Sequence, residues 1–280
     1  MKIFSYRYIV SLLMLVSVFA YSASSTAEDA EKQKHIIGAA KLNVVDLVKT
    51  QAFYEKMLGM KEVRRYDYDL EIFEETIMGF EDGGPTIALF AANPKAELPI
   101  IKSQFPVVLI YTNEWETITS RIEKAGYGIR RFIDTEKMKI SIATDPSGNR
   151  VEIYGAPGKN RVGGSKLIVT DRHKAEAFYK KVFGAKSGQV YQAENVYDEV
   201  LMEFGEGPFL ALFEPLAEPQ LPKSRFAVTA IYTNDFANVI KQLDEENYGY
   251  RKVKTQTPGL NIVIARDPAG NAIEIIERNE

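Results

Sequence analysis

A strand-and-helix block that occurs twice limits this chain more than any other feature. Lys41 to Met60 reads KLNVVDLVKTQAFYEKMLGM, and Lys166 to Ala185 reads KLIVTDRHKAEAFYKKVFGA. The copies agree at Lys, Leu, Val, Asp, the Phe-Tyr pair and Gly. Leu42 and Val44 alternate with Lys41 and Asn43, the period of a half-buried strand. Asp46 then stands at an N-cap, Leu47, Phe53, Tyr54 and Leu58 follow at near-helical spacing, and Gly59 takes the C-cap position. Further pairs follow in the same order: TIALF (Thr86–Phe90) and FLALF (Phe209–Phe213), IYTNE (Ile110–Glu114) and IYTND (Ile231–Asp235). YGIRR (Tyr127–Arg131) matches YGYRK (Tyr248–Lys252), and DPSGNRVEIY (Asp145–Tyr154) matches DPAGNAIEII (Asp267–Ile276). A fold built from repeated units is the consequence. Within each half the pattern is strand, helix and three strands, twice over. Asp145 and Asp267 open Asp-Pro-x-Gly type I turns. The Phe-Tyr pairs read as helix core, and Gly83-Gly84 as a turn.

The leader lies outside the repeat. Lys2 and Arg7 precede an apolar run from Tyr8 to Ala20, and small residues offer cleavage after Ser22 or after Ala27. The run is shorter than the roughly 20 residues of a spanning helix. Residues 1–22 are therefore expected to be a signal peptide, cleaved as late as 27 in the alternative. Secreted or periplasmic localisation, with no stable membrane anchor after cleavage, follows from that expectation. Residues 23–36 form a lead-in, 37–157 the first domain, 158–164 a glycine-rich linker and 165–278 the second domain. A formal charge of −3 gives no electrostatic case for nucleic acid. The absence of cysteine excludes disulfides, thiolate nucleophiles and cysteine-held metal.

The ordered motifs (strand, Asp-Leu, helix with Phe-Tyr, Leu-Gly, then Asp-Pro-x-Gly-x-x-(Ile/Val)-Glu) resemble the vicinal oxygen chelate superfamily, which includes glyoxalase I, extradiol dioxygenases, fosfomycin-resistance and bleomycin-binding proteins. The resemblance covers about Gly38 to Glu277. It implies an α+β protein of four βαβββ units forming two glyoxalase-like domains. Curled mixed sheets carry helices on the outer face and a cleft on the other.

Alternation along the strands supports two such faces without the resemblance. One set is apolar: Leu42, Val44, Ile87, Leu89, Val108, Ile110, Val151 and Ile153, with Leu167, Val169, Leu210, Leu212, Ile231, Ile273 and Ile275. The other set is polar and aromatic and defines the candidate ligand-binding clefts. In the first half it comprises Lys41, Asn43, Thr86, Phe90, Tyr111, Arg150, Glu152 and Tyr154. In the second half it comprises Lys166, Phe209, Phe213, Tyr232 and Glu274.

Metal-dependent relatives carry a His seven residues ahead of the capping Asp, a Glu on the fourth strand and a His at the start of the second unit. The resemblance places these at Ala39 and Gly164, Ala88 and Ala211, and Val107 and Val228. Only the final Glu remains, as Glu152 and Glu274, and one carboxylate does not hold a divalent ion. His35 and His173 read as surface or linker residues. Lys41 and Lys166 would also repel such an ion. Pairing Lys41 with Glu152 and Lys166 with Glu274 would fill the vacant place; solvated charges without pairing are the alternative. Tyr111 and Tyr232 either stack on a flat ligand or are half-buried sheet aromatics.

The expectation is an exported relative without metal, other cofactor or catalytic residues, binding a small organic molecule as a monomer or homodimer. The alternatives are a metal-dependent glyoxalase- or dioxygenase-like enzyme and a protein-interaction module.

Overall fold

The computed structural model describes residues 33–69, 73–92, 105–217, 226–255 and 258–278. The expected signal peptide, most of the lead-in and the connector after Ala92 lie outside them. The first unit is β1 (His35–Val44), α1 (Leu47–Leu58), β2 (Lys61–Asp69), β3 (Phe73–Gly79) and β4 (Thr86–Ala92). The second is β5 (Pro106–Thr112), α2 (Trp115–Lys124), β6 (Ile129–Asp134), β7 (Lys139–Thr144) and β8 (Arg150–Gly155). The third is β9 (Arg161–Ile168), α3 (Arg172–Phe183), β10 (Lys186–Ala193), β11 (Tyr197–Glu203) and β12 (Phe209–Pro215). The fourth is β13 (Ala227–Thr233), α4 (Phe236–Glu245), β14 (Tyr250–Lys252), β15 (Ile262–Arg266) and β16 (Ala272–Glu277). Strand β9 takes in residues 161–164, so Ala156 to Asn160 alone separate it from β8.

Local chemistry starts and stops α1 and α3 in the same way. The Asp46 carboxylate accepts the Lys49 N–H at 3.0 Å and Asp171 accepts that of Lys174 at 3.0 Å. Gly59 and Gly184 end the helices at φ +74° and +63°, the left-handed region that glycine enters without strain. Asp46→Ala is expected to destabilise the protein by loss of the cap, read as a lower urea midpoint with unchanged slope.

Within a unit, the first strand pairs parallel with the fourth, which leaves the first strand at an edge. Such an edge exposes unpaired backbone groups and needs covering. Each edge is covered by a unit from the other half of the chain. Strand β1 pairs antiparallel with β13, and β5 with β9. The result is two eight-stranded sheets, β14-β15-β16-β13-β1-β4-β3-β2 and β10-β11-β12-β9-β5-β8-β7-β6.

The helical cores follow the halves instead. One contains Leu42, Phe53, Tyr54, Ile87, Ile110, Trp115 and Ile153. The other contains Leu167, Phe178, Tyr179, Leu210, Ile231 and Ile275. Every apolar strand residue assigned to the helix side from sequence lies in one of these two cores. The Asp-Pro-x-Gly-Asn turns lock each core: Asp145 accepts from the Asn149 backbone at 2.8 Å, and Tyr54 donates to it at 3.4 Å. Asp267 repeats this with Asn271 and Tyr179. Val162 of β9 joins the first core and Ile37 of β1 the second, so each core is built mainly from one half and sealed by a strand of the other.

Candidate functional site

The candidate residues divide between two faces, and not by sequence half. Lys41, Asn43 and Phe90 from the first unit share a sheet with Tyr232 and Glu274 from the fourth. Tyr111, Arg150, Glu152 and Tyr154 from the second share one with Lys166, Phe209 and Phe213 from the third. A cleft within each half is therefore corrected, and so is the pairing. Lys41 Nζ lies 2.6 Å from Glu274 Oε2, not on Glu152. Lys166 Nζ lies 3.0 Å from Glu152 Oε2, not on Glu274. The cause is the β1–β13 and β5–β9 pairing, which sets each lysine two strands from the glutamate of the opposite half.

Each lysine holds a second carboxylate that the sequence reading did not place on these faces. Glu75 Oε1 is 2.7 Å from Lys41, and Glu199 Oε1 is 2.9 Å from Lys166. The internal repeat carried the signal, since EETIM (74–78) and DEVLM (198–202) occupy matching places. Lys41 is 7% exposed and Glu75 is 6% exposed, so the charges are withdrawn from water. Burial alone lowers the pKa of Lys41, but attraction to Glu274 and Glu75 overrides it and holds the ammonium above its ordinary value. Burial raises the pKa of Glu75, and Lys41 offsets only part of that; Glu199 is raised in the same way beside Lys166. Two carboxylates on one ammonium leave a formal charge of −1 on each face.

Tyrosine and glycine complete the crossing. The Tyr232 ring lies on Gly38 and the Tyr111 ring on Gly163, so that a Cβ on either glycine would fall 1.9 or 2.3 Å from a ring carbon. The register slips at these glycines in both pairings. Tyr111 also packs on Tyr154 at 5.3 Å and takes the Arg161 guanidinium at 4.8 Å. Both tyrosine rings are half-buried on their sheets, and burial pushes the Tyr111 hydroxyl up to about 12.

The donors that a metal would need are replaced by hydrocarbon. Ala39 and Ala88 pack with Ala230 on the first face. Gly164 and Ala211 occupy the matching places on the second. Val107 and Val228 face the other way, against the helical cores. Register shifts between Pro106 and Val108 and between Ala227 and Thr229 turn them, which corrects their assignment to the cleft. Among the described residues, no group of three or more His, Cys, Asp or Glu is placed to hold a metal ion. The residues present do not fit a divalent centre. His35 is buried on the helix side of β1, edge-on to Phe183 at 5.6 Å, which corrects its reading as a surface residue. Burial lowers its pKa to about 4, so it is neutral at pH 7. His173 is exposed in the first turn of α3.

Four βαβββ units, paired into two crossed sheets with helices on one side, define the class of protein to which the chain conforms. A family model described as the Glyoxalase/Bleomycin resistance protein/Dioxygenase superfamily matches residues 32–153 and 160–275, and the chain belongs to this family. Among solved structures, glyoxalase I from Zea mays superposes with a TM-score of 0.74 at 22% identity, over 87% of this chain and 92% of that one. A putative dioxygenase from Bacillus subtilis subsp. subtilis str. 168 gives 0.65 at 16% identity, over 87% and 85%. At these identities the likeness is one of fold alone. No curated protein matches.

Proposed function

We propose that this protein is an exported, metal-independent member of the family that binds a small organic molecule on its helix-free sheet faces. One observation carries the reading. The glutamate that remains of the metal-ligand set is neutralised by a buried lysine on each face, at 2.6 Å and 3.0 Å. A divalent ion would have to displace that ammonium and would then find two carboxylates, with alanine, glycine and leucine where its further ligands would stand. The half-buried aromatics Phe73, Phe226, Tyr197, Phe209 and Phe213 offer flat apolar surface beside the ion groups. Such a mixture of apolar walls and a few placed charges suits an organic ligand. Export rests on the leader, and no helix among the described residues is long and apolar enough to cross a membrane.

The test is metal content. Mature protein exposed to zinc, nickel, manganese and iron and then desalted is expected to retain no stoichiometric metal. Near-stoichiometric metal that is lost in Glu274→Ala or Glu152→Ala would overturn the reading and favour a metal-dependent enzyme.

A further inference from the structure

The two faces are related by the internal repeat but are not equivalent, and the differences concern the atoms a ligand would meet. On the second face both oxygens of Glu152 are occupied: Oε2 by Lys166 at 3.0 Å and Oε1 by the Tyr154 hydroxyl at 3.1 Å. The first face has Ile276 where the second has Tyr154. Glu274 Oε2 takes Lys41, but Oε1 has no hydrogen-bond or ion-pair partner among the described residues. The same is true of Glu75 Oε2, whose companion Oε1 takes Lys41, on a side chain only 7% exposed. Glu199 Oε2 on the second face likewise has no partner among the described residues, so the faces differ at one carboxylate oxygen, Glu274 Oε1 against Glu152 Oε1.

Space differs in the same sense. Ala39, Ala88 and Ala230 form a floor with half-buried Ile77 and Ile276 at its sides. On the second face Leu109 stands where Ala230 stands on the first, and the Tyr154 ring fills the place of Ile276. The aromatic walls are built alike, with Phe105 on Phe213 at 5.1 Å, and differ in the ammonium that Phe213 holds. The Phe213 ring takes the protein's own Lys166 ammonium at 5.3 Å and stacks on Tyr197 at 5.3 Å. Its counterpart Phe90, cross-strand from Glu75, packs between Phe73 at 5.0 Å and Phe226 at 4.7 Å.

Resting on the binding function proposed above, we infer that the ligand is an organic ammonium ion and that it occupies the first face only. Its N–H groups donate to Glu75 Oε2 and Glu274 Oε1. Its apolar body lies over the alanine floor between Ile77, Ile276 and Phe90. The ammonium supplies the second positive charge that two carboxylates and one lysine lack, and an aromatic wall beside it favours a cation further. The second face keeps the same formal charge of −1, but there the Tyr154 hydroxyl already donates to Glu152 Oε1 and its ring fills the space beside it.

The experiment compares matched probes by thermal shift and titration calorimetry on the mature protein. One trio is 2-phenylethylammonium, 2-phenylethanol and phenylacetate; the other is cyclohexylmethylammonium with its alcohol and carboxylate. At least one ammonium is expected to raise the melting temperature saturably, with one site per chain, and its alcohol and carboxylate are expected not to. Ile276→Tyr, which installs the second face's own plug, is expected to abolish binding while the protein stays folded. Glu75→Gln is expected to weaken it about tenfold. Three results overturn the inference: an alcohol or carboxylate that binds as well as its ammonium, ammonium binding that survives Ile276→Tyr, or no response to any ammonium. A metal-free protein that prefers the carboxylate overturns only the ligand class, whereas stoichiometric metal overturns the binding function itself.

Discussion

Lys41→Met is expected to destabilise the protein by about 3–5 kcal/mol at pH 7, because it leaves two buried carboxylates facing one another without a cation. Glu75 and Glu274 both lie within 2.7 Å of the Lys41 ammonium, so no other group in the ion cluster takes its place. Urea denaturation of the variant at several pH values measures the effect. The triple variant Lys41→Met, Glu75→Gln, Glu274→Gln should recover most of the loss, since removing all the charges leaves no unpaired ion. Glu75→Gln alone should be neutral or stabilising, because it leaves one lysine on one glutamate.

The same group gives a pH dependence with a definite sign. The folded-state pKa of Glu75 is raised above 4.5, first by burial and then by Glu274, with Lys41 opposing. Folded protein therefore binds this proton more tightly than unfolded protein does. The group's contribution is fully present below 4.5 and is lost as the pH rises through the raised value. Relative to Glu75→Gln, the wild type should lose stability over that interval. Equal slopes in the two proteins would show that Glu75 titrates normally.

Gly38→Ala is expected to cost about 2–3 kcal/mol, the upper range for forcing a carbon into a packed site. The new Cβ would stand 1.9 Å from two carbons of the Tyr232 ring, so the ring or the β1–β13 pairing must move. Steric contact rather than backbone conformation is the cause, since Gly38 is not among the residues at positive φ. A double-mutant cycle separates the two. In a Tyr232→Ala background the Gly38→Ala cost should fall below about 1 kcal/mol. A cost unchanged by Tyr232→Ala would place the requirement in the backbone.

Which residues face the helices was readable because side-chain direction in a strand depends only on its neighbours. Leu42, Val44, Ile110 and Ile275 needed nothing but period-2 alternation, and Asp46 and Gly59 nothing but cap chemistry. That rule failed at Val107 and Val228, where a register shift inserts a residue and turns the rest of the strand over. Glu75 and Glu199 were legible in the repeat, yet without a partner in view each was one acidic residue on a strand. The glycines at 38 and 163 carried no sequence mark of their role either, because the ring that requires them comes from the other half of the chain.

The sequence by itself determined the four repeated units, their caps and their apolar faces, all properties of residues close along the chain. Only the tertiary structure decided which units share a sheet. The first strands of all four units present similar edges, so their backbone hydrogen bonding does not discriminate among partners. A geometric constraint narrows the choice: the five residues from Ala156 to Asn160 reach at most about 18 Å, which holds β9 near the sheet of the second unit. The third unit then covers the edge of β5, and the remaining edges, β1 and β13, cover each other. That choice of partners brings Glu274 to Lys41 and Glu152 to Lys166, and so gives each face its charge.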